Sequence, residues 1–179
     1  MLQRDHAALV LIDIQGKLAA RMHDKEALYR NLQILVQGAK ALELPILWLE
    51  QYPRGLGPTI PEVAELLHDQ QPLAKTCFSA CGLDAFQDTL RTSGRRQILL
   101  AGIESHICVW QTARDLLSTG HHVEIVSDAV SSRTAANKTL GLERMRQVGA
   151  EITSVEMCLF ELLKQAGSAE FKQIAALVK

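Results

Sequence analysis

Two side chains stand where an α/β sheet would deliver chemistry. Asp13 directly follows the apolar run Ala7 to Ile12, and Cys108 closes the segment Gly102-Ile-Glu-Ser-His-Ile-Cys108, which follows the run Gln97 to Ala101. In open parallel sheets, ligands bind outside the carboxyl ends of the strands. Cys108 falls in the first turn of an expected helix, where unpaired backbone N–H groups and the helix dipole stabilise a thiolate and can receive an oxyanion. A buried packing cysteine needs neither, and position alone leaves both readings open. Asp13 taken alone reads as a turn or cap residue after a strand.

The elements that must position these residues are legible as short apolar runs. Ala7 to Ile12, Pro45 to Leu49, Gln97 to Ala101 and Val123 to Val126 lack polar alternation, as strands buried on both faces do, and Glu151 to Ser154 is a weaker fifth run. Between them Leu28, Leu32, Leu35, Ala39 and Leu42 draw one apolar helical stripe, with Asp24 as the expected N-cap. Further helices are expected at Glu62 to His68, Leu83 to Thr92, Ser105 to Ser118 and Ala135 to Val148, with two short ones after Glu156. Strand and helix in alternation imply right-handed crossovers and a doubly wound α/β fold. Gly and Pro concentrate in Pro53 to Pro61, immediately after the second strand, where a loop would shape a pocket.

Composition narrows the function. The chain has 179 residues, 47% hydrophobic and 22% charged, and reads as a single domain over residues 1–179. A domain of this size buries roughly 70% of its unfolded surface. Nineteen Lys plus Arg against twenty Asp plus Glu give a net charge of -1, so no nucleic acid or membrane partner is expected. Cys77, Cys81, Cys108 and Cys158 form neither a disulfide framework nor a paired zinc spacing, and read as free thiols in a reducing compartment. The Ala7 to Ile12 run is too short for a signal-peptide core or a membrane span, so a cytoplasmic location is expected. Gly55 and Gly57 run into Pro58, and no GxxxxGK[ST] exists, which removes the phosphate-binding fingerprints.

The order Asp13 in ALVLIDIQ, Lys75 in LAKTCFSA and Cys108 in AGIESHICVWQTARD, followed by GHHVEIVSDAVSS, resembles the isochorismatase-like (cysteine hydrolase) superfamily over about residues 7 to 160. EQYPRGLGPT resembles the branch of isochorismatase-domain-containing proteins. The resemblance implies a three-layer fold, with a parallel six-stranded sheet of order 3-2-1-4-5-6, a strand near Leu73 and Ala74, and helices on both faces. It implies Cys108 as nucleophile, Asp13 as general base and Lys75 as the cation near both. A cis peptide would lie between Ile103 and Glu104, setting the Glu104 N–H beside that of Cys108 as an oxyanion hole.

Elementary chemistry limits this triad. Moving a proton from a thiol to a carboxylate is uphill by about 6 kcal/mol from their reference values. A lysine ammonium about 4 Å away contributes on the order of 4 kcal/mol at an effective dielectric of about 20, and a helix N-terminus about 0.3–2 kcal/mol more. Lys75 favours both anions, so only its differential pull on the thiolate helps, while desolvation of Asp13 narrows the gap.

Many amidases of the superfamily carry an Asp-x-His metal site after the second strand. Here Leu49-Glu-Gln-Tyr-Pro stands there, Glu50 alone is a weak ligand set, and neither a metal nor another cofactor is expected. Cys108 argues against isochorismate-type vinyl ether hydrolysis, which needs an acid rather than a covalent attacker. Gln15, Leu18, Gln51, Tyr52, Phe78 and Ile107 are expected near the pocket by proximity to the triad positions. His106 reads as local structure, His121 and His122 as surface or packing residues, and Cys77 and Cys81 as incidental thiols. The expected function is hydrolysis of a small amide through a thioester at Cys108. The alternatives are another bond class on the same scaffold, a non-catalytic scaffold protein, or a redox sensor. A homo-oligomer is implied by resemblance, with the apolar stripe Phe171, Ile174 and Ala175 as a contact surface. Cys108→Ala, Asp13→Asn and Lys75→Ala are each expected to abolish turnover with the fold intact.

Overall fold

A computed structural model describes all residues, 1–179. Six strands, β1 (Ala7–Ile12), β2 (Ile46–Gln51), β3 (Leu73–Lys75), β4 (Gln97–Ile103), β5 (His122–Ser131) and β6 (Glu151–Thr153), form one sheet of order β3-β2-β1-β4-β5-β6. Every pairing is parallel. The order and the β3 strand are those implied by the family resemblance.

The sheet is apolar on both faces because each face is covered. Ala7, Leu9 and Leu11 of β1 pack in one core with Leu28, Leu32, Leu35 and Ala39 of α2 (Lys25–Ala41), and with α8 (Val155–Leu163) and Ile174 of α9 (Ala169–Leu177). Ala8, Val10 and Ile12 face the other way. They meet Phe86 and Leu90 of α5 (Asp84–Ser93), Ala113 and Leu116 of α6 (Trp110–Ser118), and Met145 of α7 (Ala135–Gln147). This alternation along one strand builds the three layers.

Several elements differ from the sequence expectation. Asp24 is left-handed (φ 51°) and makes no side-chain cap bond, because an N-cap side chain reaches the first-turn N–H groups from an extended backbone. The segment 62–68 is divided between a short helix Pro61–Ala64 and a 3-10 turn Glu65–Leu67. The helix expected from Ser105 begins as a π-helical turn, Ser105–Val109, before α6. Short helices at Gly16–Ala19 and Pro53–Leu56 carry too little apolar period to be read. The C-terminal stripe is not an outward contact surface. Ile174 is fully buried and Phe171 stacks edge-on against Phe160 with ring centroids 6.2 Å apart, so α9 spends it on its own chain. No helix is long and apolar enough to cross a membrane.

Candidate active site

Register sets the site. Ile12 pairs with Gly102, so β1 and β4 end level and Asp13 lies beside the Ile103–Glu104 step, which is a cis peptide. Gly102 makes this possible: at φ +123°, a Cβ there would lie 2.1 Å from the Ile12 carbonyl oxygen. On the other flank Gln51 pairs with Lys75, so their side chains leave neighbouring parallel strands together.

Lys75 Nζ donates to Asp13 Oδ2 at 2.7 Å and to Gln51 Oε1 at 2.6 Å, and also to the carbonyls of Phe78 (3.1 Å) and Cys77 (3.2 Å). The ion pair is fully enclosed, with side-chain exposures of 0% and 2%. Asp13 Oδ1 is buried without a conventional partner, and the Cys108 thiol lies close enough that each group shifts the other's proton affinity. The Glu104 backbone N–H is near enough to the Cys108 sulfur to oppose the rise in its proton affinity. Asp13, Lys75, Cys108 and Glu104, read from distant segments, therefore converge.

The electrostatics differ from the sequence expectation of a readily ionised thiol. Burial, followed by the negative charge of Asp13, pushes the Cys108 thiol up to about 12, against the opposing pull of Lys75 and the Glu104 N–H. Burial also raises the Asp13 carboxyl above its ordinary value, outweighing Lys75, which lowers it. Desolvation here exceeds the stabilisation a helix terminus provides. At rest the sulfur carries its proton, with a carboxylate beside it of more than ordinary basicity.

The six residues expected around the pocket divide. Gln51 reaches into the site as the partner of Lys75 and donates through Nε2 to the Thr76 carbonyl at 2.7 Å. Gln15 is fully buried and serves as a strap: it donates to the carbonyls of Gln51 (3.0 Å) and Gly57 (2.7 Å) and accepts from the Gln51 N–H at 2.6 Å. Tyr52 and Phe78, both 55% exposed, sit next to the strand ends that hold Lys75. Ile107 is half-buried against the core that contains Cys108, whereas Leu18 packs on the opposite core.

The turn after β4 is held by further side-chain contacts that the sequence does not mark. Glu104 turns a buried carboxylate to Arg133, with Oε1 to Nε at 2.7 Å, and to His106 at 3.5 Å. Ser132 Oγ accepts from the Ser105 N–H at 3.1 Å and pairs with His106 Nδ1 at 3.0 Å. Gly141 lets α7 lie against this turn, since a Cβ there would meet the Ser105 carbonyl at 2.8 Å. Ser132, Arg133 and Gly141 lie beyond β4 in sequence and reach it only through the fold.

The residues at the end of β2 do not fit a metal. Glu50 Oε1 accepts from the Thr59 N–H (2.7 Å) and hydroxyl (2.8 Å), which commits it to anchoring the 53–61 loop, and no His, Cys or second carboxylate joins it in a ligand group. A cavity of about 670 Å³ between α5 and α6, lined by Arg95, Arg96 and His121, lies toward the amino ends of β4 and β5, away from Cys108.

A doubly wound parallel sheet with a buried Asp–Lys pair and a cysteine at its carboxyl edge defines an α/β protein with a hydrolase fold. Residues 7–157 match the isochorismatase domain, and the chain belongs to the isochorismatase family. It is 38% identical over 177 residues to a secreted isochorismatase effector of Phytophthora sojae, covering 97% of this chain and 84% of that protein. It is 37% identical over 174 residues to human isochorismatase domain-containing protein 2, covering 97% and 83%. Among solved structures it is similar to the MAR1 ribonuclease of Caenorhabditis elegans, with 34% identity, a TM-score of 0.93, and coverage of 99% of this chain and 91% of that one.

Proposed function

We propose that residues 1–179 form one cysteine hydrolase domain that cleaves a small amide-type C–N bond through a thioester at Cys108, without a catalytic metal. The observation that carries this reading is the division of the Asp13 carboxylate: one oxygen bound to Lys75, the other unpartnered in the buried space shared with the Cys108 thiol. That arrangement suits a base that takes a proton only as the thiol attacks.

In the proposed sequence, sulfur bonds to the substrate carbonyl carbon while its proton passes to Asp13. The resulting oxyanion is received by the N–H groups of Glu104 and Cys108. The C–N bond breaks as Asp13 returns the proton to nitrogen, releasing ammonia or an amine. Water, losing its proton to Asp13, then attacks the thioester; the C–S bond breaks, the acid leaves and the thiol is restored. Lys75 holds Asp13 in place throughout. A thiol with its proton held this firmly is a poor redox sensor, since oxidation proceeds through the thiolate.

The half-exposed Tyr52 and Phe78 favour a small organic substrate over a polyanion, and the balanced net charge of -1 supports no nucleic acid partner despite the ribonuclease name of the nematode structure. Free thiols at all four cysteines support a cytoplasmic location, although the Phytophthora relative is named as secreted. Exposed Leu140 and Val148, on and just after α7, offer apolar surface for self-association into a homo-oligomer.

The test is a screen of small amides for acid product, with intact-mass detection of an acyl adduct. An adduct on Cys108 that turns over, and that is absent from Cys108→Ala, is the expected result. Turnover that persists in Cys108→Ala overturns the covalent route, and selective turnover of thioesters or imides moves the function to another bond class.

A further inference from the structure

At the opposite, amino-terminal end of the sheet, three side chains stand together that the proposed hydrolysis does not use. His122 and Glu124 are two apart on β5 and share a face, and the β5–β6 register places Glu151 directly beside Glu124. His122 Nε2 lies 3.1 Å from Glu124 Oε1 and 3.7 Å from Glu151 Oε2, and all three donor atoms lie within 4.8 Å of one another.

We propose that His122, Glu124 and Glu151 form a non-catalytic binding site for a divalent transition metal, with zinc as the best fit. Metal–ligand bonds of about 2.0–2.2 Å in a tetrahedron separate the ligand atoms by roughly 3.3–3.6 Å. The imidazole's two distances bracket that range and the two carboxylates lie within 4.8 Å of each other, so closing on an ion draws the exposed Glu151 inward and leaves a fourth position for water. The donor set of one imidazole and two carboxylates suits zinc, whereas calcium and magnesium take mostly oxygen ligands.

A hydrogen-bonded histidine–glutamate pair would account for His122 and Glu124 alone. It does not account for the excess negative charge. The Glu124 side chain is only 4% exposed, and the strand register sets a second carboxylate, Glu151, beside it. Two carboxylates thus gather on one imidazole, one of them withdrawn from water. Buried anions of this kind are retained where a cation neutralises them. The ion would pin β6, an edge strand paired to the sheet through only three residues, Glu151 to Thr153.

The experiment is calorimetric titration of the chelator-treated full chain with zinc chloride, alongside the optical spectrum of the cobalt(II) form. The expected result is one zinc per chain, with affinity weakened at least roughly tenfold by His122→Ala and by Glu151→Gln. The latter replaces an exposed side chain and leaves the fold unthreatened. At a hundredfold excess over Kd, zinc should raise the unfolding midpoint by roughly 5–10 °C. The cobalt form should lack sulfur-to-metal charge-transfer bands, and Cys108→Ser should bind as the parent does. Absence of saturable uptake, uptake unchanged by both substitutions, or thiolate bands in the cobalt spectrum would each overturn the site.

Discussion

Lys75 Nζ and Asp13 Oδ2 meet at 2.7 Å with neither side chain open to water. Strands β1 and β3 do not touch; β2 separates them, and Gln51 of β2 supplies a further acceptor to the ammonium. The pair therefore fastens the carboxyl ends of three strands and holds the candidate base at the same time.

Removing either partner should cost stability as well as turnover, which changes the expectation of an intact fold drawn from position alone. Lys75→Ala leaves a carboxylate buried without its cation, and breaking such a pair costs about 3–5 kcal/mol, a large fraction of the roughly 5–15 kcal/mol a domain possesses. Urea denaturation should show the midpoint falling sharply for Lys75→Ala while Cys108→Ala stays near the parent. Equal midpoints would mean that the pair contributes no net stability.

The acid limb of activity follows from Asp13. Its carboxyl is raised above 3.8, chiefly by burial, so kcat/KM should fall on acidification at a higher pH than an exposed aspartate would give. Stability moves with the opposite sign. The native state holds this proton more tightly than the unfolded chain, so the Asp13 contribution is present below the unfolded value and lost as pH rises through the native one. A pH–rate profile whose acid limb tracks an unshifted carboxylate would exclude Asp13 as the proton acceptor.

Cys108 should behave unlike a thiol chosen for constitutive reactivity. With its ionisation pushed up to about 12, alkylation by iodoacetamide should keep rising through pH 10 without a plateau. Asp13→Asn removes the negative charge that opposes the thiolate, so this variant should alkylate faster at pH 9 while losing hydrolysis. Intact-mass kinetics on both proteins decide it: slower alkylation in Asp13→Asn would show that the carboxylate already assists the resting thiol.

The parts of this site legible in the sequence were those obeying local rules. Asp13 and Cys108 follow long apolar runs, and ligand chemistry gathers at strand ends. Lys75 had no such marker, because β3 is three residues long and its Leu-Ala-Lys carries no period; only resemblance to a family pointed to it. The turn at Ser105, held by Ser132 and packed against Gly141, and the role of Gln15 as a strap depend on contacts between segments that sequence periodicity does not record. The thiol's high proton affinity belongs to the same class, since burial is a property of the assembled fold.

Gly102 is where the fold leaves least freedom. An added Cβ would meet the Ile12 carbonyl oxygen at 2.1 Å and the Ile12 nitrogen at 2.7 Å, both backbone atoms of the central strand. Gly102→Ala should cost roughly 3–5 kcal/mol from overlap together with the positive φ. Circular dichroism melts should show either a strongly lowered midpoint or no folded protein, and a parent-like melt would mean that β1 and β4 can part at this point.

Arg133 anchors the peptide proposed to receive the oxyanion. The backbone N–H of Glu104 is near the Cys108 sulfur, while its buried side chain is tied outward to Arg133 at 2.7 Å, with Oε2 left without a hydrogen bond. Arg133→Ala keeps every group proposed to touch substrate but orphans a buried carboxylate, which should pull the Glu104 backbone out of line. On the amide identified by the screen, kcat should fall about tenfold with KM nearly unchanged, the pattern of a contact made only in the transition state. Adding Glu104→Gln removes the orphaned charge and should recover part of the loss, whereas a purely steric role for Arg133 would leave the double variant as slow as the single one. If Arg133→Ala retains full kcat, the side-chain tie does not position the proposed oxyanion donor.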